Sequence, residues 1–174
     1  MKEASISDFD HIFALMDEAF PDVEMRTYEG QKALLSKQNY KILIQYDGGC
    51  IESMMALWEF SHFIFIEHFA ICKQKRECGI GSLCLEEFLR DVQKPVILEV
   101  EPACDDITKK RISFYERRGF HLHTYSYMQP PLRKDKGGCP LQIMSYPNAL
   151  TLQQFEEMKD ILYKEVYGTI FSKD

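Results

Sequence analysis

Ile64-Phe-Ile-Glu67-His68-Phe-Ala-Ile71-Cys-Lys73-Gln-Lys75-Arg76-Glu-Cys78-Gly79-Ile-Gly81-Ser-Leu83-Cys-Leu85-Glu-Glu-Phe88-Leu89 is the stretch on which the reading of the fold turns. An apolar run ends at Ile71, a short basic turn follows, and Gly79-x-Gly81 opens a segment with apolar residues at 83, 85, 88 and 89. This is the order strand, glycine turn, helix. Such a turn leaves unpaired backbone N–H groups at the positive end of a helix dipole. Glycines there remove Cβ atoms where an anion must approach, and Lys73, Lys75 and Arg76 add positive charge. The expected ligand is a phosphate-bearing cofactor.

Arg76-x-x-Gly79-x-Gly81, directly after a strand ending Glu67-His68-Phe69-Ala70-Ile71, resembles the pyrophosphate loop of the GNAT superfamily of acetyl-CoA-dependent N-acetyltransferases. Ile112-Ser-Phe114-Tyr115-Glu-Arg-Arg-Gly119-Phe120 resembles the second signature of that superfamily, a helix ending Phe-Tyr-x-x-x-Gly-Phe. The resemblance covers residues 1–127 and implies an α/β fold, a mixed but mostly antiparallel sheet of six or seven strands flanked by helices. It further implies acetyl-CoA as co-substrate, without a metal, and direct transfer of the acetyl group to a primary amine of a small molecule or peptide. The residues it places at the cofactor are Phe69, Ala70, Ile71, Arg76, Glu77, Cys78, Gly79, Ile80, Gly81, Ser82 and Phe114. Pantetheine is expected along the strand edge, with the thioester carbonyl meeting a backbone N–H near Phe69 to Ile71. An asparagine common in the superfamily is absent from Pro102–Ile107.

Amine acetylation needs a neutral amine and a proton for the departing thiolate. Glu67 is the candidate base, because its neighbours are apolar and desolvation raises a carboxyl pKa. Regular alternation puts it with Phe65, Phe69 and Ile71, opposite Ile64, Ile66, His68 and Ala70. Glu99 and Glu101 on the next strand are the alternates. Tyr115 is the candidate acid, a role the second signature carries in the superfamily. His121-x-His123 reads as two partly exposed histidines rather than metal ligands, since a third ligand is wanting.

The 174 residues, 45% hydrophobic and 28% charged, suit one domain with its own core. A net charge of −6 argues against nucleic acid as a partner. No apolar run nears the roughly 18 residues of a membrane span. Six cysteines without a C-x-x-C pair, and no basic-then-apolar leader, make a cytoplasmic protein with reduced thiols the expectation.

In chain order, Asp8 is the expected cap of a first helix closed by Pro21. The resemblance implies that this early region shapes the acceptor pocket, which makes Asp22, Glu24, Arg26, Tyr28 and Glu29 candidate acceptor contacts, and a short helix is expected over 32–37. Asp47-Gly48-Gly49 marks a hairpin. Further strands are expected over 96–101, 120–128 and 141–146, with helices over 107–118 and from Leu152 to Val166. Tyr163, Tyr167, Ile170 and Phe171 are candidates for a homodimer surface. A dinucleotide-binding oxidoreductase fits poorly, because position 84 is Cys84 where its fingerprint needs glycine. A non-catalytic acyl-CoA-binding sensor is the competing reading.

Overall fold

The computed structural model describes residues 1–168, so Ile170 and Phe171 lie outside the described residues. The chain forms two compact units, Met1–Val96 and a second beginning at Ile97.

In the first unit, β1 (Lys2–Glu3) precedes α1 (Phe9–Ala19), α2 (Tyr28–Ala33), β2 (Tyr40–Asp47), β3 (Cys50–Glu59), β4 (Ile64–Ile71) and α3 (Ile80–Asp91). The β1–β2, β2–β3 and β3–β4 pairs are all antiparallel. Gly48 and Gly49, at φ 57° and 89°, make the two-residue turn that returns β3 along β2. Thr27 caps α2 by accepting from the Gly30 N–H at 3.2 Å, which starts the helix four residues before the expected position. Asp8 precedes α1, but its carboxylate accepts from Ser5 and Tyr46 instead of capping the helix.

The register of β3 against β4 decides which residues face which helices. Ala56 pairs with His68 and Leu57 with Ile66, so Glu67 is an extra residue, a β-bulge. Paired residues share a face. His68, Ala70 and Phe65 therefore stand with Ala56, Met54 and Trp58, while Ile64, Ile66, Phe69 and Ile71 stand with Glu59, Leu57, Met55 and Ser53. The regular alternation expected from the sequence fails here, because one inserted residue exchanges the faces of everything beyond it. The first face meets α1, through Phe20 on His68. The second meets α3, through Ser53 Oγ 3.3 Å from Cys84 Sγ. With both faces covered, Met54 to Trp58 are fully buried. Met54, Met55 and Leu57 each contribute about 1.5–3 kcal/mol of transfer free energy.

The second unit holds β5 (Val96–Val100) from its second residue on, α4 (Asp106–Glu116), β6 (His121–Leu122), β7 (Tyr127–Gln129), β8 (Cys139–Tyr146) and α5 (Leu152–Ile161), extended by a π-helical turn, Leu162–Val166. The expected strand over 120–128 is two strands. Both pair with β8, but four residues, 123–126, lie opposite two, 142 and 143. The described residues thus contain eight strands against the six or seven expected. Asp105 and Thr108 form a reciprocal capping box on α4. Gly119 ends that helix at φ 84°, in the left-handed region. A Cβ there would also sit 3.4 Å from the Tyr146 ring. Gly119→Ala is expected to lower stability by about 1–2 kcal/mol, read as a fall in the denaturant midpoint at unchanged m-value.

Candidate active site

The loop between β4 and α3 is built from backbone. After Ile71 the Cys72 N–H returns to the Glu52 oxygen at 2.9 Å, and a 3-10 turn spans Lys73–Lys75. Arg76 Nε donates to the Ile71 oxygen at 3.1 Å, which folds its side chain back over the strand end. Its guanidinium lies 3.6 Å from Glu18 and is half exposed. Lys75 is held by Asp47 at 2.6 Å, whereas Lys73 is exposed. Glu77 and Gly79 both have positive φ, 65° and 81°. For Gly79 that conformation costs nothing; for Glu77 it stores strain, as functional loops often do. The first helical bond runs from Leu83 N–H to the Gly79 oxygen at 3.1 Å, so the N–H groups of Ile80 and Gly81 precede the ladder. Left-handed Gly79 followed by right-handed Ile80 makes a concave nest of N–H groups. A Cβ on Gly79 would meet nothing within 4 Å, so the space before the nest is open. Cys78, the residue before Gly79, is exposed.

Glu67 occupies a different kind of place. Its side chain is 1% exposed and pairs with Arg26 Nη1, itself on a side chain 10% exposed. Trp58 Nε1 donates to the other oxygen at 2.9 Å. The residue as a whole is only half-buried, so its exposed part is main chain at the bulge. Burial pushes the carboxyl pKa up, as expected from the sequence. Arg26 and His68, with the hydrogen bonds from Arg26 and Trp58, outweigh that and hold it below the usual carboxylate range. The expected rise is thus corrected to a fall, because the sequence does not show that Arg26 folds inward. Arg26 was one of five candidate loop contacts; here it is the counterion of a buried acid. Of the others, Tyr28 donates to Asp10 and accepts from Lys32. His68, 3% exposed, has its Nε2 2.9 Å from the Glu24 main-chain oxygen. Burial pushes its pKa down, against the pull of Glu67.

In the second unit Tyr115 is 8% exposed, with its ring centroid 5.1 Å from Phe114 and 5.5 Å from Phe120. Burial pushes its phenol up to about 12, opposed by Arg111 and Arg118. Phe114 carries the Arg118 guanidinium over its ring at 4.0 Å. Both alternate acids are engaged by neighbours in their own unit. Glu101 pairs with Arg111. Glu99 accepts from Tyr127, from Tyr167 at 2.8 Å and from Gln129 at 3.2 Å. Tyr167 and Tyr163, which bonds the Met128 oxygen at 2.6 Å, are thereby tied into their own unit. His123 is buried rather than partly exposed, bonded to Ser145 Oγ at 2.8 Å. Among the described residues no group of three His, Cys, Asp or Glu side chains could hold a metal, and no helix is long and apolar enough to cross a membrane.

No protein-family model matches the chain. The Bacillus subtilis "Putative acetyltransferase YjbC" is 34% identical over 120 residues, 67% of this chain. The chain spans 60% of the length of that curated relative. The solved structure of a "Putative acetyltransferase from GNAT family" from Bacteroides thetaiotaomicron superposes with a TM-score of 0.88 at 29% identity, covering 97% of this chain and 98% of that one. The Salmonella typhimurium protein yncA, solved with its cofactor acetyl-CoA, shares the fold with a TM-score of 0.61 at 14% identity, over 86% of this chain and 94% of its own.

Removing Arg26 would strand a buried carboxylate, so Arg26→Ala is expected to cost about 3–5 kcal/mol in urea unfolding at pH 7, with Arg26→Ala/Glu67→Gln recovering part of it. The folded pKa of Glu67 is depressed, so its stabilisation is full above the unfolded value of about 4.3 and is lost as pH falls through the folded value. The gap between wild type and Arg26→Ala should therefore narrow in acid below about pH 4.3.

Proposed function

The chain belongs to the GNAT superfamily, and from that premise we propose that it is an N-acetyltransferase moving an acetyl group from acetyl-CoA directly to a primary amine of a small molecule or peptide. The observation that carries this reading is the open N–H nest at Gly79–Gly81, set at the end of a strand and the start of a helix. A pyrophosphate suits it because oriented N–H groups and the helix dipole both favour an anion. The main chain of Glu77, Cys78, Gly79, Ile80, Gly81 and Ser82 would hold it, with Arg76 adding charge. Main-chain groups of Phe69, Ala70 and Ile71 would take the pantetheine arm, and Phe114 would pack against it. Bound acetyl-CoA supplies the thioester, a good acyl donor.

Tyr115 is the proposed acid. A phenol near 12 stays protonated at every working pH, so it always has a hydrogen to offer a developing thiolate, whose thiol has a pKa of about 8.5. Complete proton transfer from so weak an acid is uphill, and the useful contribution is a hydrogen bond that strengthens as negative charge develops. Glu67 carries its charge in an ion pair and is too weak a base to deprotonate an ammonium directly. That same feature favours the second reading, a non-catalytic acyl-CoA-binding module. A homodimer and a cytoplasmic setting complete the proposal; neither nucleic acid nor a membrane enters it.

Isothermal titration with acetyl-CoA, with NAD as control, tests the cofactor: micromolar binding of acetyl-CoA alone is expected. Arg76→Ala should weaken it about tenfold, the loss of one charge-assisted contact. Tyr115→Phe should bind normally and lose about 10²-fold or more in thiol release with an amine panel. Equal loss of binding in both variants would make Tyr115 structural. Binding without thiol release for any amine would support the binding module.

A further inference from the structure

Neighbouring residues of a regular strand point to opposite faces, yet Glu67 and His68 meet, because Glu67 is the residue left over between the Ala56–His68 and Leu57–Ile66 pairs and its carboxylate reaches Trp58, on the face of His68. The Glu24 main-chain oxygen can only accept, so His68 Nε2 carries the hydrogen between them. In the neutral ring the Nδ1 lone pair is then bare, and this buried atom has no hydrogen-bond partner among the described residues. It faces Glu67 Oε2 across 3.9 Å, too far for a hydrogen bond. Two acceptors thus confront each other in a buried place, an arrangement that costs free energy unless something donates between them. The charges facing the ring are Glu67 from β4 and Arg26 from the segment before α2; α1 covers it with the Phe20 ring at 4.7 Å, and Glu24 reaches it through its main-chain oxygen.

We propose that the gap between His68 Nδ1 and Glu67 Oε2 is a built site for one proton: His68 holds the proton that the acceptor ammonium must lose, and Glu67 is the counterion of the imidazolium so formed. This rests on the acetyltransferase reading. One proton on Nδ1 turns the opposed acceptors into a charge-assisted hydrogen bond, with only a small closing of the gap. Glu67 itself is a poor destination, because Arg26 and Trp58 already satisfy its oxygens. His68 is neutral at pH 7 and so stands in the form that accepts. The ammonium gives its proton through water, entering at the exposed main chain of the bulge, to Nδ1. The freed nitrogen forms the C–N bond to the acetyl carbon, the C–S bond breaks, and the second nitrogen proton goes to sulfur. His68 then returns its proton to solvent, and one proton is released per turnover.

NMR titration of the imidazole in the intact protein reads the site without any substrate. The expected result is an Nε2–H tautomer at pH 7 and a midpoint below 6.5 that falls by a further unit or more in Glu67→Gln. Glu67→Asp keeps the charge on a shorter arm and should give a smaller fall, which preserves the test if Glu67→Gln does not fold. An Nδ1–H tautomer, or a midpoint unmoved in every folded variant, overturns the proposal. With acetyl-CoA and an accepting amine, kcat/KM should rise with pH through that same midpoint. His68→Gln should remove the limb and lower kcat about 10²-fold while the Kd for acetyl-CoA stays within twofold. A His68→Gln enzyme that keeps the limb overturns it as well. Failure of acetyl-CoA to bind the wild type would instead sink the acetyltransferase reading, and leaves the NMR titration to decide the proton site alone.

Discussion

A carboxylate removed from water must be met by charge and hydrogen bonds, or it will not stay ionised. In the first unit that requirement falls on Glu67, and the surrounding structure answers it with Arg26 and Trp58. Arg26 can reach Glu67 only if the chain between α1 and α2 turns inward, and Met25 is buried beside it. The bulge makes the meeting possible. It inserts one residue into β4, brings the Glu67 side chain to Trp58, and leaves its main chain at the surface. The same insertion places His68 under Phe20 and Glu24, so the strand and the first helices are joined by an ion pair and a hydrogen bond rather than by apolar contact alone.

The loop between β4 and α3 obeys another constraint. Arg76 and Lys75 are tied down by side-chain bonds, but the nest itself depends on where a Cβ atom is missing and on which N–H groups escape the helix ladder. Gly79 serves because of its φ, not because of crowding, since the space around it is empty. Glu77 adopts a left-handed conformation with a full side chain, the one place in the loop where local preference and global geometry disagree.

The second unit settles its charges among its own residues. Glu99, a base candidate by sequence, lies in a cluster with Tyr127, Gln129 and Tyr167, and the π-helical turn after α5 is what delivers Tyr167 there. A wider helical turn shifts the side chains that follow it. Glu101 spends its charge on Arg111. Tyr115, by contrast, is wrapped by rings, and its phenol responds to burial more than to any partner.

Local signals are legible in the chain alone: the Asp47-Gly48-Gly49 hairpin, the glycine turn opening α3, the end of α4 at Gly119, and most of the order of strands and helices. Turns, caps and periodicity act over a few residues, so their signals are written where they operate. The chemistry of Glu67, by contrast, comes from packing between distant segments. An apolar neighbourhood correctly signalled burial, yet the sign of the pKa shift turned on Arg26, 41 residues earlier in the chain. Nor could period-two reading see the bulge, because an inserted residue is defined by the partner strand and leaves no mark in the strand that carries it. The Glu67–His68 pair stood together in the sequence, but spacing assigned the two residues to opposite faces. The bulge, which leaves Glu67 without a partner on β3, brought them to one, since register is a property of two strands and never of one.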